Sequence, residues 1–74
     1  MVRPPTRVTN RIKDLRTERG VTQAELAARL GVTRQTVIAI EQGRYSPTLE
    51  LAFQIAHVFG ARLDDVFGYS QEEQ

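Results

Sequence analysis

The chain has 74 residues, with ten Lys or Arg against nine Asp or Glu, one histidine and no cysteine. That length makes one domain, close to the lower limit for an unassisted core, and the absence of cysteine excludes both a disulfide framework and a thiolate metal site. No apolar run approaches the roughly 18 residues of a membrane span, and Arg3, Pro4 and Pro5 interrupt any signal-peptide pattern, so the expectation is a soluble, cytoplasmic domain.

Caps and stops divide the chain. Residues 1–9 form a basic, proline-containing arm too short to be a domain. Residues 10–19 predict a first helix, with Ile12 and Leu15 inward and Gly20 as its stop. Thr22 and Glu25 make a T-x-x-E capping box that opens a second helix. Leu26, Ala27 and Leu30 share one face of it. Gly31 then turns through positive φ, where a Cβ would clash.

Thr33 caps a third helix whose buried stripe is Val37 and Ile40 and which ends at Gly43. Residues 44–47 are a loop in which Pro47 restricts Ser46 to an extended conformation. Thr48 caps a fourth helix, with Leu49, Ala52, Ile55, Ala56 and Phe59 inward until Gly60. Residues 63–67 make a short fifth helix, with Leu63, Val66 and Phe67 returning to the core. The domain therefore spans residues 10–69, and residues 70–74 are a tail without periodicity. The fold class is all-α.

The string TQAELAARLGVTRQTVIAIEQG, residues 22–43, resembles the helix-turn-helix of the Cro/CI-type (XRE) regulators. Apolar Leu26, Leu30, Val32, Val37 and Ile40 stand at the expected places, with Ala27 and Gly31 as the small residues. Seven positions thus agree in type and spacing at once. The likeness covers residues 10–67 and is strongest to short bacterial regulators that consist of little else. It implies a five-helix lambda-repressor-like domain. It also implies that the arm around Arg7, Val8 and Thr9 pairs as a strand with residues around Gly68 and Tyr69.

Charge supports a polyanionic partner. Residues 1–44 hold nine Arg or Lys against four Asp or Glu, whereas residues 45–74 hold only Arg62 against five acids. The motif half is basic and the other half would face away from DNA.

The third helix is where function is expected. Thr33, Arg34, Gln35 and Thr36 do not point inward at its start, and Ile38 and Ala39 follow one turn later. In a major groove, Arg34 suits guanine O6 and N7, and Gln35 suits adenine N6 and N7. The resemblance makes Arg34, Gln35, Ile38 and Ala39 base-reading positions. Two departures matter: some phage repressors carry a second glutamine where Ala39 stands, and Ile38 is apolar at an outward position. Both reduce the contact there to a methyl or sugar.

Gln23, in the first turn of the second helix, has free amides and a helix dipole beside it that attract a phosphate. The resemblance assigns it a backbone-phosphate bond that also braces the reading helix. Gln42, Gly43 and Arg44 supply the matching contact after that helix. Tyr45 has two readings, a hydroxyl on phosphate or packing against the fourth helix. Arg7 and Arg11 reach toward flanking backbone, or are generic surface arginines. The resemblance further implies a partly buried ion pair between Arg16 and Glu41 that positions the reading helix.

Enzyme readings find no support. His57 is the only histidine, which with no cysteine leaves no zinc ligand set. Asp64 and Asp65 are adjacent and do not face a common site on a helix; they suit the positive end of the fifth helix. No phosphate-binding glycine-rich loop or nucleophile elbow occurs, and no cofactor, membrane or small-molecule ligand is implied. The expectation is a sequence-specific double-stranded DNA-binding regulator. It would be a repressor acting as a homodimer on a pseudo-palindrome, with Val58, Leu63, Val66, Phe67 and Tyr69 as the interface. The alternatives are an antitoxin, or a controller protein of a restriction–modification operon, using the same domain.

Overall fold

The computed structural model describes residues 6–71. The arm's residues 1–5 and the tail's residues 72–74 lie outside them. The elements run β1 (Val8–Asn10), α1 (Ile12–Arg19), α2 (Gln23–Leu30), α3 (Arg34–Glu41), α4 (Leu49–Phe59), α5 (Leu63–Val66) and β2 (Phe67–Tyr69).

Threonine starts three of the five helices. Thr22, Thr33 and Thr48 each accept the amide three residues on, from Glu25 at 3.0 Å, Thr36 at 3.2 Å and Leu51 at 3.1 Å. Each such cap is worth about 0.5–2 kcal/mol, because it satisfies an amide that the helix itself leaves free. The Thr22 cap is reciprocal, since its own amide donates to the Glu25 carboxylate at 2.8 Å. Between α2 and α3 the chain turns at Gly31, whose φ of +73° is open to glycine and strained for other L residues.

Each helix contributes to one core. It is formed by Ile12 and Leu15 from α1, Leu26, Ala27 and Leu30 from α2, Val37 and Ile40 from α3, four side chains of α4, and Val66 from α5. Fully burying one such Leu, Ile or Val contributes roughly 1.5–3 kcal/mol, so these positions, more than helix propensity, hold the short helices in place.

The terminal segments pair in one antiparallel two-stranded sheet, Val8 opposite Tyr69, Thr9 opposite Gly68 and Asn10 opposite Phe67. This pairing lies within a single chain. It continues beyond the strands through Ser70 N–H to the Arg7 carbonyl and Arg11 N–H to the Val66 carbonyl, both 2.8 Å.

Three expectations change. The first helix begins at Ile12, because the backbone of Asn10 is engaged with β2 and the Asn10 side chain, not its helical conformation, receives the Ile12 amide at 3.1 Å. Leu49 lies in the first turn of α4 and is 68% exposed, so helical periodicity alone misplaced it in the core. Leu63 is only half-buried and outside the core, and Phe67 belongs to β2, packed against the core's edge.

Candidate functional site

The first turn of α3 presents its polar residues to solvent. Arg34 and Gln35 are exposed, and neither side chain takes part in a hydrogen bond or ion pair among the described residues. Thr33 and Thr36 are engaged with each other: besides the cap, their hydroxyls lie 3.0 Å apart. Of the residues assigned to base contact, Arg34 and Gln35 therefore have free side-chain donors, while Thr33 and Thr36 already share one. Ile38 and Ala39 are half-buried one turn later.

What holds α3 is a charged network. Arg16 on α1 grips the Glu41 carboxylate at the end of α3 with two parallel bonds, Nε to Oε2 at 2.5 Å and Nη2 to Oε1 at 3.1 Å. The two side chains are 13% and 7% exposed, so water screens the pair little. Arg16 Nη1 also donates to the Val21 carbonyl at 3.1 Å, which fixes the turn into α2. The Gln23 amide then donates to Glu41 Oε1 at 3.2 Å. One carboxylate thus gathers α1, the start of α2 and the end of α3.

Gln23 is consequently half-buried and braced, with its carbonyl oxygen and second amide hydrogen left over. Beside it runs a groove of about 320 Å³ lined by Lys13, Arg16, Gln23, Ile38, Glu41 and Gln42. A wider groove of about 600 Å³ follows the start of α2 and includes Thr22, Gln23, Ala24 and Arg34. The free amides of α2 and the cationic side chains share these concavities, which suits an anion.

After α3 the backbone closes through Gly43 N–H to the Ile40 carbonyl and Arg44 N–H to the Ala39 carbonyl, both 3.0 Å. Arg44 Nη1 donates to Gln42 Oε1 at 3.0 Å, which orients both exposed side chains together. Tyr45 beside them is 44% exposed. Arg11 does not join this group. Its guanidinium approaches the Asp65 carbonyl at 3.5 Å and Glu18 at 4.0 Å, on the α1–α5 side.

The proposed interface needs a correction. Val66 is 1% exposed and wedged in the core, so it has no surface to offer a partner. Val58 and Phe67 are half-buried against the core, while Tyr69 is 66% exposed. Sequence reasoning missed the larger apolar surface, Leu49 and Phe53, at 68% and 53% exposed and one turn apart on α4. Their i,i+4 spacing was visible, but the same periodicity had assigned Leu49 inward.

Glu25 lies below the usual carboxylate range. The Thr22 backbone amide, and after it the Thr22 hydroxyl, hold its pKa below the ordinary value. Among the described residues no group of His, Asp and Glu could hold a metal ion, and no helix is long and apolar enough to cross a membrane.

The helix-turn-helix family model matches residues 12–66, which takes in all five helices. The chain is 50% identical over 64 residues to an uncharacterised HTH-type transcriptional regulator of Methanocaldococcus jannaschii, covering 86% of this chain and 97% of that one. The chain belongs to the helix-turn-helix family of transcriptional regulators. A second relative, the cryptic phage CTXphi transcriptional repressor RstR of Vibrio cholerae, is 35% identical over 63 residues, covering 85% of this chain and 57% of its own.

Among solved structures, the restriction–modification controller protein C.AhdI of Aeromonas hydrophila superposes with a TM-score of 0.67 at 26% identity, over 73% of this chain and 78% of its own. The hydroxypropylphosphonic acid epoxidase of S. wedmorenis also matches, with a TM-score of 0.68 at 38% identity, over 73% of this chain. That likeness covers only 29% of the epoxidase, so it is a likeness to one segment of a larger protein. The family points to a regulator rather than an enzyme, and the matched residues take in the five helices but neither strand of the sheet.

Proposed function

We propose that this regulator binds double-stranded DNA sequence-specifically, as a homodimer on a pseudo-palindromic operator, and represses by occupying it. The observation that carries the reading is the pair Arg34 and Gln35, exposed and with no side-chain partner among the described residues, on the first turn of a helix whose far end is clamped by Arg16 and Glu41. A free guanidinium and a free carboxamide on a rigid helix are what bidentate reading of guanine and adenine requires. Gln23, Gln42 and Arg44 flank α3 and would take phosphates on either side, with Tyr45 adding its hydroxyl. Thr33 and Thr36 would contribute through the hydroxyl valences that their mutual bond leaves, and Ile38 and Ala39 through thymine methyls.

The apolar side chains with most surface to offer a partner are Leu49 and Phe53 on α4 and Tyr69 of β2, with Leu63 half-buried. Half-sites would then lie about one helical turn, ~34 Å, apart. Selection of bound sequences from a random duplex pool, followed by salt titration of the best binder, tests the reading. An enriched inverted repeat with a steep salt slope is the expected result. No enrichment, with only weak salt-sensitive binding, would overturn it.

The similarity to a restriction–modification controller protein favours one second reading, in which the same domain activates as well as represses. A reporter driven by the operator's own promoter separates the two by the sign of its response. An antitoxin role predicts instead that a second small protein co-purifies.

A further inference from the structure

We propose that Asn10 is a positioning residue for the reading helix, tying the terminal sheet to the point where the chain leaves α3. The carboxamide of Asn10 has both of its ends engaged, toward elements far apart in the chain. Its Oδ1 accepts the Ile12 amide at 3.1 Å, at the start of α1. Its Nδ2 donates to the Ile40 carbonyl at 2.8 Å, in the last turn of α3 and thirty residues away. Only one orientation of the carboxamide satisfies a donor at one end and an acceptor at the other.

The Ile40 carbonyl is available for a structural reason. The amide four residues on, Arg44, turns back to Ala39, so Ile40 receives the tighter bond from Gly43 at 3.0 Å and keeps a lone pair to spare. Asn10 fills it. Its own backbone is fixed at the same time, opposite Phe67 in the sheet and followed by the Arg11 to Val66 bond. The exit of α3, from which Gln42 and Arg44 project, is thereby fastened to the sheet as well as to Arg16. Arg16 holds the Glu41 side chain and Asn10 holds the backbone one residue before it, so the two ties are independent.

Neither aspartate nor serine serves both ends. Aspartate keeps the acceptor for Ile12 but sets a carboxylate oxygen against the Ile40 carbonyl. Serine keeps a short acceptor and does not reach α3. Neither change removes core volume, so each acts on the tie.

The functional half of this inference rests on α3 reading DNA; the structural half does not. Asn10→Asp and Asn10→Ser are made in the full chain, and two quantities are measured below the melting transition. These are residue-resolved amide exchange and the Kd for the duplex selected above. Exchange at Gly43 and Arg44 should rise about fivefold or more relative to the amides of α2, with a loss of affinity of similar size. Asn10→Ser serves where Asn10→Asp folds poorly.

Exchange that is unchanged, or that rises equally in every helix, overturns the tie. Wild-type affinity in a variant whose α3 exit has loosened overturns the positioning role. Should the unaltered chain select no duplex, the DNA reading falls, and exchange alone still decides whether Asn10 holds the end of α3.

Discussion

Arg16 and Glu41 meet across 25 residues of sequence in a two-pronged contact, and Gln23 closes on the same carboxylate from the start of α2. Because both charges are largely removed from water, their value lies less in net stability than in geometry. Breaking the pair is different, since it leaves a buried charge without its partner.

Arg16→Ala should therefore destabilise the fold by about 3–5 kcal/mol. That is a large share of the about 4–11 kcal/mol expected for a domain of this size. Chemical denaturation measures it, and base preference should change only where the fold is already failing. Unchanged stability together with lost operator binding would show that Arg16 acts on DNA directly instead.

The reciprocal cap of α2 predicts an acid-sensitive component of stability. Glu25 has a depressed pKa in the folded chain, held down first by the Thr22 amide and then by its hydroxyl. A depressed carboxylate contributes stability that is present above its unfolded value and is lost as pH falls through the folded one. Melting followed from neutral pH to acid should show that loss, and Glu25→Gln should flatten it. An identical pH profile in the variant would remove Glu25 from the account. Thr22→Ala should cost about 0.5–2 kcal/mol by removing the other half of the cap.

Arg34→Ala should leave melting unchanged, since the Arg34 side chain has no hydrogen bond or ion pair among the described residues. In selection experiments it should relax one base position in each half-site, by roughly 1–3 kcal/mol of discrimination. Arg44→Ala should instead weaken all sequences alike and lower the salt slope by about one. If Arg34→Ala behaves like Arg44→Ala, its contact is with the backbone and base reading must be sought at Gln35.

Phe53→Asp tests the apolar face of α4. Phe53 is 53% exposed and beside Leu49, so the substitution removes no core packing. Wild-type melting should rise with protein concentration, as it does when folding is linked to association. The variant should sediment as a monomer and melt independently of concentration. A wild-type chain that is already monomeric at micromolar concentration ends the homodimer proposal.

The caps, the glycine turn and the motif were legible in the sequence because each depends on residues three or four apart, where side chain and backbone chemistry is local. Thr22, Thr33 and Thr48 opened the helices assigned to them, and Leu26, Leu30, Val37 and Ile40 faced inward as their spacing required. The family resemblance added the Arg16–Glu41 pair, which no local rule connects.

Leu49 and Asn10 mark what only the tertiary structure decided. Periodicity sets the direction of a side chain around the helix axis, but not whether a neighbour stands there to cover it, so Leu49 kept its helical phase and lost its burial. For Asn10, an asparagine near a helix start announces a bond to an amide two residues on, and that bond is present. Its second bond, to the Ile40 carbonyl, exists only because packing brings the end of α3 beside the start of α1. Short-range hydrogen bonding is written into neighbouring residues, whereas burial and long-range partners follow from how the helices pack together.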